Sequence, residues 1–134
     1  MIEGIDHIGI AVHNIEEKAE LYGDVLGLTH EGTEVVEEQG VKVAFFRVGE
    51  SLIELLEPID DDGPVARFLD NHGEGIHHLA LRCDDIEEGR DRVESAGIRL
   101  LSDRPLDGAD GKLISFLHPR DTGRVLLELT QRQD

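Results

Sequence analysis

The 134-residue sequence predicts an α+β chain of two consecutive β-α-β-β-β modules, eight strands in all, and three features predict it. The chain repeats itself once, each copy opens a helix with the same polar cap, and each copy follows that helix with three short apolar runs. The repeat rests on four segments in the same order. Asp6–Glu17 (DHIGIAVHNIEE) lies on His77–Glu88 (HHLALRCDDIEE), with His78 standing 71 positions after His7. Ala44-Phe45-Phe46 meets Ser115-Phe116-Leu117 at the same offset, and Ile53-Glu54-Leu55-Leu56 meets Leu127-Glu128-Leu129-Thr130 at 74. One such match is chance; four in one order are two related halves.

In the first copy Ile5–Val12 is a run rich in β-branched residues, stopped by the polar pair His13-Asn14. Asn14 with Glu17 three residues later reads as a capping box, and Ile15, Ala19, Tyr22 and Leu26 line a helical face that Gly27 ends. Strands are expected at Leu28–Val36, Val41–Val48 and Leu52–Glu57. An extra helix around Pro64–Asn71 has Pro near its start and Gly73 after its end. In the second copy Asp85 and Glu88 make the cap, Ile86, Val93 and Ala96 the face, and Gly97 the stop. Strands are expected at Ile98–Leu101, Leu113–Leu117 and Val125–Thr130. The organisation expected is one domain over 1–134: a first module of about 1–60, a linker helix of about 61–73 and a second module of about 74–134.

Composition narrows the function. Thirteen Lys plus Arg face 30 Asp plus Glu, a net charge of −17, which argues against nucleic acid or an anionic membrane as partner. Hydrophobic residues still make up 39% and recur in organised runs, which sets the chain apart from acidic disordered segments. Only Lys18, Lys42 and Lys112 accompany the Arg residues, and acid-rich, Lys-poor composition suggests adaptation to concentrated salt. Cys83 is alone, so neither an internal disulfide nor a Cys-based metal cluster is expected. The opening MIEGIDHIGI has no basic leader, and no apolar run has membrane-spanning length, so a reducing cytoplasm is the expected setting. Four Phe, one Tyr and no Trp leave little surface for base stacking.

Strand parity sorts the repeated residues. Ile8, Ile10 and Val12 occupy one face of the first strand, with His7, Gly9 and Ala11 opposite; Leu79 and Leu81 repeat the first row, and His78 and Ala80 the second. Glu54 lies between Leu52 and Leu56 on its face, and Glu128 between Leu126 and Thr130. A carboxylate among Leu side chains is costly without a positive partner. A single strand His is ordinarily a satisfied histidine, and a single Glu an edge residue. Both types repeated at equivalent places point instead to a metal. His7, Glu54, His78 and Glu128 supply two imidazoles and two carboxylates, a set suited to Co²⁺, Mn²⁺, Ni²⁺, Fe²⁺ or Zn²⁺ with positions left open. His77 points the other way and is read as structural, His13, His30 and His72 as solvated, and Asp60-Asp61-Asp62 as a solvated turn.

With these residues in place the chain resembles the vicinal-oxygen-chelate superfamily, and over its whole length the methylmalonyl-CoA epimerases. IDHIGIAV at 5–12 and GIHHLA at 75–80 are general to the superfamily; EEQGV at 37–41 and FLHP within 116–121 are more particular to the epimerases. ELLEP at 54–58 and GRVLLEL at 123–129 belong to the same likeness. The resemblance implies a mixed, cup-shaped eight-stranded sheet around a divalent metal, the glyoxalase/bleomycin-resistance-like fold. It also implies His7, Glu54, His78 and Glu128 as ligands, an acyl-CoA substrate and a homodimer. It assigns Glu128 as ligand and base, whereas a Glu used by some members two residues after the Gly-Val pair is Val43 here. The repeat then makes Glu54 the candidate second base. Lys112, Arg120 and Arg124 are the candidate contacts for CoA phosphates, with a surface-charge role as the alternative. Other functions compatible with such a fold are a glyoxalase I type lyase and a non-catalytic small-molecule binder; an extradiol dioxygenase is disfavoured by a fourth ligand.

The charge makes a direct prediction. Near 1 M salt the Debye length is about 3 Å and self-repulsion is screened. The melting temperature is therefore expected to rise between 0.1 and 2 M KCl, and a flat or falling curve in thermal melts removes the salt-adaptation reading.

Overall fold

The computed structural model describes residues 1–133, with eight strands and three α-helices: β1 (Ile2–Ala11), α1 (Ile15–Ala19), β2 (Thr29–Val36), β3 (Val41–Val48), β4 (Ser51–Pro58), α2 (Pro64–His72), β5 (Gly75–Cys83), α3 (Ile86–Ser95), β6 (Leu106–Asp107), β7 (Leu113–Phe116) and β8 (Leu127–Gln131). The chain divides into two compact units that are not its consecutive halves. One is His7–His77; the other joins Met1–Asp6 to the residues from His78 onward, so β1 and β5 each contribute to both. No helix among the described residues is long and apolar enough to cross a membrane.

In the His7–His77 unit the strands lie in the order β2-β3-β4-β1, with β1 and β4 parallel and the other pairs antiparallel. The apolar row of β1 meets the helix as parity requires: Val12, Ile15, Ala44, Phe46 and Leu55 form the core, with Ile10, Ala19, Tyr22 and Ile53 against it. Asn14 caps α1 by accepting from the Glu17 backbone N–H at 2.9 Å. A second acceptor comes from far along the chain: Glu57 of β4 takes the Ile15 N–H at 2.8 Å. The expected Ile15–Gly27 helix is α-helical only to Ala19. Residues Glu20–Val25 widen to a π-helix, with Leu26 N–H donating to Leu21 O at 2.9 Å. The added residue per turn rotates Leu26 off the apolar face, leaving it 57% exposed. The widened turn lies close to the Phe46 ring, where a Cβ at Gly23 would stand at the ordinary contact distance of 3.5 Å. Helix α2 follows the sequence expectation, with Pro64 in its first turn and Gly73 at its C-cap. The Asp60–Asp62 segment is the turn before it, Asp60 accepting from the backbone N–H groups of Asp62 and Gly63.

In the other unit the order is β1-β5-β8-β7-β6, with β5 and β8 parallel and β7 antiparallel to β8 and β6. Cys83, Ile86, Leu117 and Leu129 form its core, with Val93, Ile98, Leu100, Leu113 and Leu127 packed on it. The helix start repeats the first copy in full. Asp85 accepts from Glu88 N–H at 3.1 Å, and Gln131 of β8 takes the Ile86 N–H at 2.8 Å, as Glu57 does for Ile15. Cys83 is buried, its thiol 3.5 Å from Thr130 O, and burial pushes its pKa up.

The expected strand at Ile98–Leu101 is a correction. Only Leu100 bridges to Leu117, and the regular strand lies later, at β6. Arg99 is turned aside by Asp121, which accepts from its backbone N–H, Nε and Nη2, each at 2.9 Å. Next, the Ser102 carbonyl accepts from Arg90 at 3.0 Å, and Pro105 has no N–H to offer a ladder. The last strand also starts later than the expected Val125. Arg124 sits in the left-handed region at φ 69°, and Thr122 Oγ1 donates to Val125 O.

The Arg99 guanidinium holds the Asp121 carboxyl far below the usual carboxylate range. A depressed folded-state pKa contributes stability above the unfolded value of about 3.9, lost as pH falls through the folded value. Asp121→Asn is thus expected to lower the melting temperature at pH 7, with the difference from the parent closing below pH 4. A constant difference across that range would show that charge is not what the pair contributes.

Candidate metal centre

In the His7–His77 unit the parallel β1·β4 register sets His7 beside Leu52 and Gly9 beside Glu54, and the antiparallel β3·β4 register sets Phe45 on the other side of Glu54. One flank of the carboxylate is therefore the smallest residue and the other an aromatic ring. His7 and Glu54 are both buried, Glu54 at 3% exposure, and His7 Nδ1 stands 3.3 Å from Glu54 Oε2.

The other unit repeats this arrangement. Ala80 of β5 lies beside Glu128, Phe116 of β7 lies on its other side, and His78 Nε2 stands 3.5 Å from Glu128 Oε1. Glu128 is 2% exposed. Phe116 meets the His78 ring edge-on, centroids 5.6 Å apart. Gly9 and Ala80, Phe45 and Phe116, Glu54 and Glu128 are the residues that the sequence repeat equates, so the duplication extends to the flanks of the acids. Val43 is buried opposite Leu56, on the same strand face as Glu54 and one register step from it; Ile114 opposite Thr130 is its counterpart.

The donors suit a divalent cation. An ionised carboxylate inside protein costs several kcal/mol unless paired, and an imidazole 3.3–3.5 Å away offers a compensating charge only when protonated. A shared metal resolves the conflict, since neutral imidazole and ionised carboxylate are then both in the form that binds. An imidazole N beside a carboxylate O in each unit favours a first-row divalent ion over Ca²⁺ or Mg²⁺, which prefer oxygen.

The remaining expected residues fall out as follows. His77 packs edge-on against Phe68 at 5.2 Å, and burial lowers its pKa to about 4, in line with a structural role. His13 and His72 are exposed, and His30 is exposed while stacking on Phe46 at 4.8 Å. Arg120 and Arg124 lie at the surface. Lys112 is a correction: it is 2% exposed, with Nζ 2.7 Å from Asp6 Oδ2, and an ammonium buried on a carboxylate is not a surface phosphate contact. Sequence reasoning passed over Glu57, Gln131 and Asp6. The first two share the 74-residue offset of Glu54 and Glu128, a signal open to view; a charged residue directly before His7 in an apolar strand was the signal for Asp6.

Comparisons with known proteins place the chain in a family. Residues 6–116 match the Glyoxalase/Bleomycin resistance protein/Dioxygenase superfamily. The uncharacterized protein YqjC of Bacillus subtilis is 43% identical over 127 residues, covering 95% of this chain and 91% of that protein. The ethylmalonyl-CoA/methylmalonyl-CoA epimerase of Cereibacter sphaeroides is 40% identical over 133 residues, 98% of this chain and 99% of that one. Among solved structures, a Streptomyces coelicolor methylmalonyl-CoA epimerase variant in complex with 2-nitronate-propionyl-CoA superposes with a TM-score of 0.97 at 38% identity, covering 100% of both chains. With its fold and nearly all of its length shared in this way, the chain belongs to the Glyoxalase/Bleomycin resistance protein/Dioxygenase superfamily and, within it, to the methylmalonyl-CoA epimerase family.

Proposed function

We propose that the protein is a metal-dependent epimerase interconverting (R)- and (S)-methylmalonyl-CoA, and that His7, Glu54, His78 and Glu128 together hold one divalent metal. The observation that carries this is the buried His–Glu pair built twice on equivalent strands. Bound there, a Co, Mn, Ni, Fe or Zn ion supplies Lewis-acid polarisation of the thioester carbonyl, which acidifies the α-hydrogen.

The chain's own residues do the rest. Inversion needs one group to take the α-proton from one face and another to return a proton to the opposite face. Glu128 is the first of these. Val43 carries no proton-transferring group, so Glu54, its neighbour on the same strand face, takes the second role. Leu52, Leu56 and Val43 around Glu54, and Ile114 and Phe116 around Glu128, exclude water that would otherwise deliver protons without stereochemical control. Arg120 and Arg124 are the surface cations left for CoA phosphates. The same reading carries a cytoplasmic homodimer with no nucleic-acid or membrane partner.

Two experiments test it. Chelator-stripped protein should gain melting temperature when single metals are restored, with stabilisation approaching about 2.7 kcal/mol at a hundredfold excess over Kd. Deuterium uptake into methylmalonyl-CoA in heavy water should return with it. Both responses should be lost in His78→Ala and Glu128→Ala, and metal-independent exchange, or turnover of methylglyoxal plus thiol instead, would overturn the epimerase reading. Glu54→Gln keeps an oxygen donor but no base. It should slow α-proton removal from one enantiomer by roughly 10²–10⁴-fold while sparing the other, and unchanged exchange from both would assign the second base elsewhere.

A further inference from the structure

Within the unit formed by Met1–Asp6 and the residues from His78 onward, one buried carboxylate gathers three cations. Asp6 is fully buried. Its Oδ1 meets Arg82 Nε at 3.0 Å and Arg132 Nε at 3.4 Å, and its Oδ2 meets Lys112 Nζ at 2.7 Å. Two of the cations stand four residues from a candidate ligand, Arg82 from His78 on β5 and Arg132, just past the end of β8, from Glu128, while Lys112, just before β7, stands four from Phe116, the ring beside Glu128. Four residues along a strand is an even step of about 13 Å, so Arg82 shares a face of β5 with His78, while Lys112 and Arg132 stand one residue outside β7 and β8. The register ties the rows together, since Thr130 lies opposite both Arg82 and Ile114 while Phe116 lies opposite Glu128.

Stability alone is a poor account of this cluster. Replacing a buried ion pair by apolar residues of similar volume is commonly neutral or stabilising, whereas in some proteins such a cluster serves to fix a register. We propose that Asp6 is a positioning residue for the metal centre. By drawing Arg82, Lys112 and Arg132 onto one carboxylate it fixes the mutual register of β5, β7 and β8 and so sets the separation of His78 from Glu128. The proposal rests on the reading of those two residues as ligands, and Asp6 itself touches neither metal nor substrate.

The test uses the full chain loaded with Co²⁺, and reads metal affinity by chelator competition, the visible d–d spectrum and the melting temperature. Asp6→Asn alone leaves a buried ammonium without its carboxylate, so it is paired with Lys112→Met, which removes the one deeply buried cation, Arg82 and Arg132 keeping some exposure to water, and is expected to recover most of the melting temperature. Affinity should nevertheless stay ten- to a hundredfold below the parent, the loss typical when groups that orient ligands are removed, with an altered Co²⁺ spectrum. Arg132→Met removes only the cation that is 44% exposed and leaves the fold intact. It should lower affinity by less than the double variant does and shift the spectrum in the same sense. Parental affinity and spectrum in both variants would overturn the positioning role while leaving the centre in place. A parent protein that binds no Co²⁺ would overturn the ligand reading beneath it.

Discussion

The constraint on which the rest depends is the placement of an ionisable carboxylate, twice, inside an apolar strand. Glu54 and Glu128 lie almost wholly out of water, where an isolated charge costs several kcal/mol. That cost calls for a partner, an imidazole from the parallel neighbour strand stands 3.3 or 3.5 Å from each acid, and the surroundings follow from it. The flank toward the His-bearing strand is Gly9 or Ala80, small enough to leave the acid room, and the other flank is Phe45 or Phe116, which keeps water away. The same two strands also serve their opposite faces. Leu55 and Leu129 enter the hydrophobic cores, and Glu57 and Gln131 accept from the first N–H of the packed helices. A period of two lets one strand build the site on its even residues and anchor its helix on the odd ones.

This double duty explains what the sequence made legible. Both His–Glu pairs, α2 and the polar caps could be read because each leaves a local mark, a repeat or a spacing that needs no tertiary knowledge. The features that escaped depend on distant partners. Glu57 caps a helix 42 residues upstream, and Lys112 is buried because a carboxylate 106 residues away receives it. Nothing near Lys112 says that it leaves the surface, the usual place for lysine. The π-helix escaped because Ile15, Ala19, Tyr22 and Leu26 fit an α-helical period, and nothing in their spacing marks the widened turn. At Ile98–Leu101 the pattern was strand-like, but Asp121 and Arg90 take hydrogen-bonding groups that a ladder would have used.

Where the two copies differ is also informative. His7 faces its acid through Nδ1 and His78 through Nε2, so the two rings are turned differently toward equivalent carboxylates. Thr130 stands where the first copy has Leu56. The repeat equates Asp6, the centre of the cation cluster, with His77, whose ring packs on Phe68 and is kept neutral to about pH 4 by burial. Sequence drift after duplication would scatter such changes, yet the acids and the sizes of their flanking residues are kept. An epimerase has a reason for that combination. The two faces of its planar intermediate are chemically alike and call for matched proton carriers, while the acyl-CoA attached to that intermediate has no such symmetry. A duplicated fold suits this reaction when the acids and their flanks stay equivalent while residues farther out diverge, and the matched flanks of Glu54 and Glu128 beside the Leu56/Thr130 difference follow that pattern.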